Sequence, residues 1–162
     1  MTLIVIKTTE GRDVPVEADQ LKGANLRGIG LHRALLQEMD LSGTDFEGAD
    51  LRGAYLDKSN LEGAILINAS LITASLTDVR LVGARFKGAR MMSAVFDRAK
   101  LDGCDLSGID VDGSSFKEAS LMGADMRCSR MERISLTGAI YDARTRWPDG
   151  FDPRAKGARF HG

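Results

Sequence analysis

The sequence predicts an all-β solenoid, a narrow tube whose chain turns a corner every five residues. The main observation is a unit of small, polar, large apolar, polar and glycine residues, as in Ala49-Asp50-Leu51-Arg52-Gly53, that recurs in register over residues 24–143. Eighteen glycines among 162 residues are too many for a helical bundle. The 22 Lys and Arg balance 23 Asp and Glu, which gives no general electrostatic case for binding nucleic acid or an anionic membrane.

Residues 1–23 precede the regular array and are predicted to form a β-hairpin. Leu3-Ile4-Val5-Ile6 is β-branched and typical of a strand, and 10–13 has the composition of a turn. Val14-Pro15-Val16 predicts a short second strand, in which Pro15 is tolerable only at an edge. The hairpin is expected to cap one end of the tube, since an open end would expose unpaired backbone.

The array has 24 large apolar positions, here called centres, spaced five apart from Leu26 to Tyr141. Period five places successive centres on different sides of an α-helix, and an odd period alternates the two faces of a strand. A chain that turns at every unit instead points all centres inward. Glycine follows two residues after 12 of the 24 centres, where it supplies the positive φ of a type II turn.

The units resemble the pentapeptide-repeat family, whose motif is A-(D/N)-L-x-x. Matching copies occupy 24–28, 49–53 and 124–128. The resemblance implies a right-handed quadrilateral β-helix with four units per coil, hence about six coils in which residues twenty apart are stacked. The predicted organisation is an N-terminal cap over 1–23, the β-helix over 24–143 and a C-terminal cap with a short helix over 144–162.

The C-terminal segment carries the only tryptophan of the chain. Trp147 and Phe151 are predicted to cover the last coil; the alternative is a platform for a ligand. Asp152 followed by Pro153 indicates a helix cap and first helical residue, with a stop at Gly157.

No pattern indicates catalysis, a metal site or a cofactor. His32 and His161 are expected on the surface without neighbouring ligands, and Cys104 at an inward position is expected to be buried. Cys128 is expected to be exposed at a corner, which leaves a redox role open. A convex tube offers no cleft, so neither an enzyme nor a small-molecule substrate is expected. The first residues lack the basic and cleavable features of a secretory signal, so the expected location is the cytoplasm.

Charge is banded along the array. Residues 84–103 carry five basic and two acidic side chains, whereas residues 44–63 carry five acidic and two basic ones. Opposite charges stacked in nearby coils are expected to pair.

Outward apolar residues suggest a surface for a protein partner or for a homodimer. The candidate residues are Leu35, Tyr55, Ile65, Ile67, Ile72, Met92 and Val95. The predicted function is a non-enzymatic protein-binding or scaffold module with an unidentified partner. The alternative follows from the resemblance, since some pentapeptide-repeat proteins mimic DNA and modulate DNA gyrase. The basic band at 84–103 interrupts the continuous acidic face that such mimicry needs.

Overall fold

The structure, a computed structural model that describes residues 2–162, consists of β-strands, isolated β-bridges and tight turns. Its strands are β1 (Leu3–Ile6), β2 (Val14–Glu17), β3 (Ile140–Tyr141) and β4 (Arg159–Phe160). Two single-turn 3-10 helices occupy Met131–Arg133 and Arg154–Lys156. None of the described helices has the length and apolar character needed to cross a membrane.

The predicted N-terminal hairpin is confirmed. Strands β1 and β2 pair antiparallel, with Ile6 opposite Val14. The Ile6 and Val16 side chains are buried in the same core as the array. The chain after β1 then pairs with the array itself, where the Leu35 amide donates to the Lys7 carbonyl over 2.8 Å. The hairpin is therefore joined to the repeat region by both backbone and side-chain contacts.

The predicted stacking of residues twenty apart is confirmed. Parallel bridges join Asp45 to Ile65 and Ile65 to Arg85, and the same spacing recurs in four columns. The four columns begin at Asn25, Gly30, Leu35 and Asp40. Each column occupies one side of the tube, so residues ten apart lie on opposite sides.

The unit around Phe46 shows how backbone hydrogen bonds build the array. The Phe46 amide donates to the Ile65 carbonyl of the next coil over 2.8 Å, and the Gly48 amide donates to the Ile67 carbonyl over 2.9 Å. Within the unit, the Ala49 amide closes the turn on the Phe46 carbonyl at 2.9 Å. Each unit is thus a tight turn bonded to the coils beside it.

The third residue of each turn from Gly28 to Gly123 adopts positive φ, as the glycine pattern predicts. Gly48 has a φ of 68°, and Lys58 and Thr73, at equivalent positions without glycine, have φ values of 57°. An L-residue in this region places its Cβ close to the following carbonyl. Corners without glycine are therefore locally strained, and the packing of the neighbouring coils must offset that strain.

The core is filled by the centres and by the small residues two before them. Leu51, Leu71 and Ala69 have no exposed surface, and the residues between centres reach solvent to varying degrees. The rings of Phe96 and Phe116, twenty residues apart, stack with centroids 5.1 Å apart and an interplanar angle of 6°. The tube therefore has a continuous interior of stacked apolar side chains.

The prediction that Cys128 is an exposed corner residue is wrong, because the register slips there. Asp110 pairs with Ser129, nineteen residues on, while Ser115 pairs with Ser135, twenty residues on. Cys128 is 8% exposed and takes the inward position predicted for Ser129. The 3-10 turn at Met131–Arg133 absorbs the extra residue, and the uninterrupted register predicted for 24–143 is corrected accordingly.

The C-terminal segment packs on the last turns of the array. Trp147 and Phe151 stack with centroids 5.5 Å apart, and Trp147 meets Tyr141 edge to face at the same distance. Both rings are half-buried against the core, which supports the predicted cover. The short helix begins at Arg154, whose amide donates to Asp152 Oδ1 over 2.9 Å, and it ends before Gly157 at a φ of 90°.

Candidate interaction surface

The seven candidate apolar residues do not form one surface. Five of them, Leu35, Tyr55, Val95, Ile72 and Met92, lie on one column or across its adjacent corner. Ile65 and Ile67 lie ten residues from Tyr55 and its corner, which places them on the opposite side of the tube. The two groups are treated separately below as the Tyr55 side and the Ile65 side.

Tyr55 is the most accessible residue of the Tyr55 side, with 38% of its surface exposed. It stacks between Leu35 and Ser75 in a column that ends at Ser135. The other four candidates of this side are half-buried, and Met92 Sδ is contacted by Arg130 Nη2 at 3.0 Å. Ser75 separates Tyr55 from Val95 in this column. The Tyr55 side therefore presents one exposed aromatic residue among half-buried apolar residues, and it is not a continuous apolar stripe.

A groove of about 550 Å³ lies beside Tyr55, where the turn of the N-terminal hairpin contacts the array. Glu10 in that turn lies 3.4 Å from Arg33 Nη1 and 3.7 Å from His32 Nδ1. The groove is lined by Glu10, His32, Arg33, Gly53, Tyr55, Thr73 and Ser75. This concave site could not be predicted from the repeat pattern, because it joins the hairpin turn at Glu10 to Arg33, 23 residues further along the chain.

The Ile65 side combines apolar and basic residues. Ile65 and Ile67 are half-buried, and the next coil places Arg85 directly beside Ile65 and Lys87 beside Ile67. Both cations are exposed. This side therefore presents hydrocarbon and positive charge together.

Many of the outward Asp and Asn side chains accept hydrogen bonds from backbone amides in the turns of the tube. The amide after each centre finds no backbone acceptor within residues 2–162, and a side chain often takes that role. Asp45 Oδ1 accepts the Glu47 amide over 2.9 Å within one unit. Asp57 Oδ1 instead accepts the Thr77 amide of the next coil over 3.0 Å, together with the Ser75 hydroxyl. These carboxylates are consequently parts of the fold.

Many of the same carboxylates are also paired with arginine. Arg98 contacts Asp78 twenty residues earlier at 2.8 Å, which confirms the expected pairing between neighbouring coils. A side-chain hydrogen bond from Arg98 lowers the pKa of Asp78, and one from Arg52 lowers the pKa of Asp50. The acidic charge of the tube is therefore largely compensated where it occurs.

The thiols are placed for packing. Sγ of Cys104 lies 3.1 Å from the Leu81 carbonyl, and burial raises the pKa of both Cys104 and Cys128 to about 12. Thiolate is the reactive form of cysteine, and it is scarce at neutral pH when the pKa is this high. Within the described residues, no three His, Cys, Asp or Glu side chains are grouped closely enough to hold a metal ion.

Comparison with known families agrees with this architecture. A model of pentapeptide repeats, matched in 8 copies, aligns with segments 31–68, 54–92, 69–108 and 99–138. The chain belongs to the pentapeptide-repeat family. The match covers most of the array and includes both candidate sides.

Solved pentapeptide-repeat proteins share the fold. HetL, involved in heterocyst differentiation regulation in the cyanobacterium Nostoc sp. strain PCC 7120, is 22% identical with a TM-score of 0.54, covering 83% of this chain and 71% of HetL. Rfr23 from the cyanobacterium Cyanothece 51142 is 23% identical with a TM-score of 0.56, covering 77% of this chain and 88% of Rfr23.

A more distant match is QnrB1, a plasmid-mediated fluoroquinolone resistance protein. It is 20% identical with a TM-score of 0.39, covering 88% of this chain and 85% of QnrB1. At this similarity it carries no inference about function. A search of curated protein sequences gave no significant match.

Proposed function

We propose that this pentapeptide-repeat protein is a non-enzymatic binding or scaffold module that presents the outer sides of its β-helix to a protein partner. The observation that carries the proposal is the groove beside Tyr55, an exposed aromatic residue with a polar rim formed by Glu10 and Arg33. Tyrosine and arginine are enriched at protein interfaces, and an aromatic anchor beside a pocket is a typical hot spot.

The proposed partner is a protein or a second copy of this chain, and not nucleic acid, a membrane or a small-molecule substrate. The groove is shallow and open, and its walls carry both signs of charge in Glu10 and Arg33. Such a surface suits a side chain or loop of another protein, which brings its own apolar and polar groups. Leu35 and Ile72, half-buried beside Tyr55, would extend the contact area.

The presentation of this surface depends on the finer geometry of the fold. We propose a right-handed tube of about six coils, with residues 1–23 and 144–162 closing its ends. The hydrogen bond from Leu35 to Lys7 and the aromatic packing of Trp147 support the two end closures. Closed ends would direct association to the sides of the tube, since unpaired ends invite strand pairing.

The alternative function, DNA mimicry towards gyrase, requires an extended acidic surface. Here Asp50 is paired with Arg52, and Asp78 with Arg98. Arg85 adds an exposed positive charge in the middle of a column that also contains Asp45 and Asp105. We therefore expect no inhibition of gyrase supercoiling and no drug protection at micromolar protein, and either effect in a supercoiling assay would favour the alternative.

The binding proposal is tested with Tyr55→Glu and the matched control Val82→Glu. Both residues are exposed, at 38% and 42%, and they lie on different sides of the tube. Affinity capture with quantitative mass spectrometry, and light scattering for the homodimer, compare the two variants with the wild type. Loss of a bound protein or of self-association in Tyr55→Glu alone is expected. Equal behaviour of the three proteins would contradict the role of the Tyr55 side.

A further inference from the structure

The backbone hydrogen bonds of the tube are lengthened between residues 83–91 and 102–110, which span two adjacent columns, those of Arg85 and Arg90. Elsewhere in the Arg85 column the Leu66 amide donates to the Arg85 carbonyl over 2.8 Å, and the Leu106 amide to the Asp125 carbonyl over 2.9 Å. The equivalent Phe86 amide makes no close backbone hydrogen bond within residues 2–162, although the bridge between Arg85 and Asp105 persists and keeps the two coils aligned. This lengthening is therefore local and has bonded coils on both sides.

Five further amides share this lengthening, so it is a continuous feature, here called the seam. The amides concerned are those of Gly83, Gly88, Met91, Asp105 and Asp110, none of which makes a close backbone hydrogen bond in the part of the chain that the structure describes. The ladder closes again at Ser93, whose amide donates to the Asp112 carbonyl over 2.8 Å.

A groove of about 540 Å³ follows the seam. Its lining residues are Ala84, Arg85, Phe86, Lys87, Asp105 and Ser107. Ala84 and Ala89 retain 6% and 5% exposure, whereas Ala64 and Ala69 in the preceding coil have none. The seam thus brings solvent close to the core around this corner of the tube.

Positive charge collects along the seam without internal compensation. Arg85, Lys87 and Arg90 are exposed and follow one another around a single corner. None of the three forms an ion pair with any residue of 2–162, in contrast to Arg27, Arg52 and other arginines of the array. Ile65 and Ile67, half-buried in the preceding coil, adjoin the cations.

We propose that the seam binds an acidic segment of a protein partner, with carboxylates on Arg85, Lys87 and Arg90 and an apolar side chain on Ile65 and Ile67. The inference rests on the proposed protein-binding function and names the chemistry of the partner. Unpaired cations beside apolar surface complement a chain that alternates carboxylates with a leucine-like residue.

The acidic residues across the seam limit the ligand to a short segment. Asp105 lines the same groove, and Asp110 faces Arg90 while being paired with Arg130. A long polyanion such as duplex DNA would contact these carboxylates and those of the coils beyond, where like charges repel. Three cations also provide few phosphate contacts compared with proteins that bind nucleic acid.

The test uses amide NMR titrations of the full chain with defined probes. The probe is an end-blocked peptide Gly-Asp-Leu-Glu-Asp-Gly, and its uncharged match is Gly-Asn-Leu-Gln-Asn-Gly. We expect the acidic peptide alone to shift resonances of 83–91 and 102–110. The triple variant Arg85→Gln, Lys87→Gln, Arg90→Gln should weaken binding by about tenfold or more. The control triple variant Arg12→Gln, Lys117→Gln, Arg159→Gln removes the same charge from cations that likewise form no ion pair among residues 2–162, and it should bind as the wild type does.

Absence of peptide shifts, equal loss in both triple variants, or displacement of the peptide by an equal concentration of duplex DNA would each overturn the proposal. Failure of this site leaves the Tyr55 side intact: a partner lost in Tyr55→Glu but retained by the seam variants would support the proposed function and refute the seam.

Discussion

Sγ of Cys128 lies 3.3 Å from the carbonyl oxygen of Leu106, inside the tube and one coil away from it. This contact places the thiol where the array otherwise has Ala or another small residue. It follows from the shortened pairing of Asp110 with Ser129, and it defines the register of the following turn.

We expect Cys128 to be inert towards thiol reagents in the folded protein. Its pKa of about 12 and its burial leave little accessible thiolate at pH 7. Titration with a chromogenic disulfide should detect neither Cys128 nor Cys104 within minutes, and both after unfolding in denaturant. Ser93→Cys, at an exposed corner, should react rapidly and serves as the positive control. Rapid labelling of the wild type at Cys128 would contradict the buried position of this residue.

Gaining and losing a glycine at a corner should change the free energy of unfolding in opposite directions. Gly48→Ala is expected to lower the free energy of unfolding by about 1–2 kcal/mol, because alanine is strained at a φ of 68° although its Cβ meets no neighbour. Thr73→Gly should raise it by roughly 0.5–1 kcal/mol by removing a β-branched residue from the same conformation. Urea denaturation measures both.

Gly30→Ala is the control for the corner variants. Gly30 lies in a bridge column, has no positive φ, and has open space around an added Cβ. Its replacement should be neutral or slightly stabilising, through loss of freedom in the unfolded chain. A loss equal to that of Gly48→Ala would show that glycine at the corner is not required for its φ.

The stacked pair Phe96 and Phe116 should couple two coils energetically. Phe96 is fully buried, so Phe96→Ala is expected to cost about 3–5 kcal/mol. In a double-mutant cycle with leucine at both positions, the coupling should be about 0.5–1.5 kcal/mol. Phe86 is not stacked on Phe116, so its cycle with Phe116 should be nearly additive. Additivity in both cycles would contradict an energetic role for the stack.

Asp142 should make stability depend on pH below the ordinary range of an aspartate. A hydrogen bond from Arg144 lowers its pKa to about 2, and its Oδ1 also accepts the Gly123 amide at 2.9 Å. A carboxylate with a depressed folded pKa stabilises the protein above its unfolded pKa, and that stabilisation disappears as pH falls through the folded value.

Asp142→Asn is therefore expected to reduce the free energy of unfolding at pH 7. The difference from the wild type should shrink as pH falls from about 4 towards 2. Urea denaturation at several pH values checks this, with Asp149→Asn, an exposed residue without an ion pair among the described residues, as control. A difference that stays constant down to pH 2 would contradict the assignment of the effect to the Asp142 charge.

The candidate surface was only partly predictable. The outward positions of Leu35, Tyr55 and Val95 follow from their place in the repeat, and the structure keeps them in one column. The groove beside Tyr55 depends on the contact between the Glu10 and Arg33 side chains, which lie 23 residues apart in the chain. Outward position alone also overstates exposure, because neighbouring coils cover most of these side chains.

The five-residue turn, the inward centres and the stacking of residues twenty apart could all be predicted from the amino-acid sequence. Those features are local: a glycine at a corner and a large side chain at a centre impose the same geometry on every unit that carries them. The same reasoning applies to the N-terminal hairpin, whose β-branched strands and turn lie within one short segment.

The places where this regularity fails depend on how a unit fits against the neighbouring coils. Ala84-Arg85-Phe86-Lys87-Gly88 fits the pattern as well as any unit, yet within the described residues the amides of Phe86 and Gly88 lack the close backbone hydrogen bonds to the next coil that Leu66 and Asn68 make. Cys128 takes the inward position that the repeat assigns to Ser129, and its Sγ lies 3.3 Å from the Leu106 carbonyl. Both departures involve contacts between residues about twenty apart, which a repeat read one unit at a time does not contain.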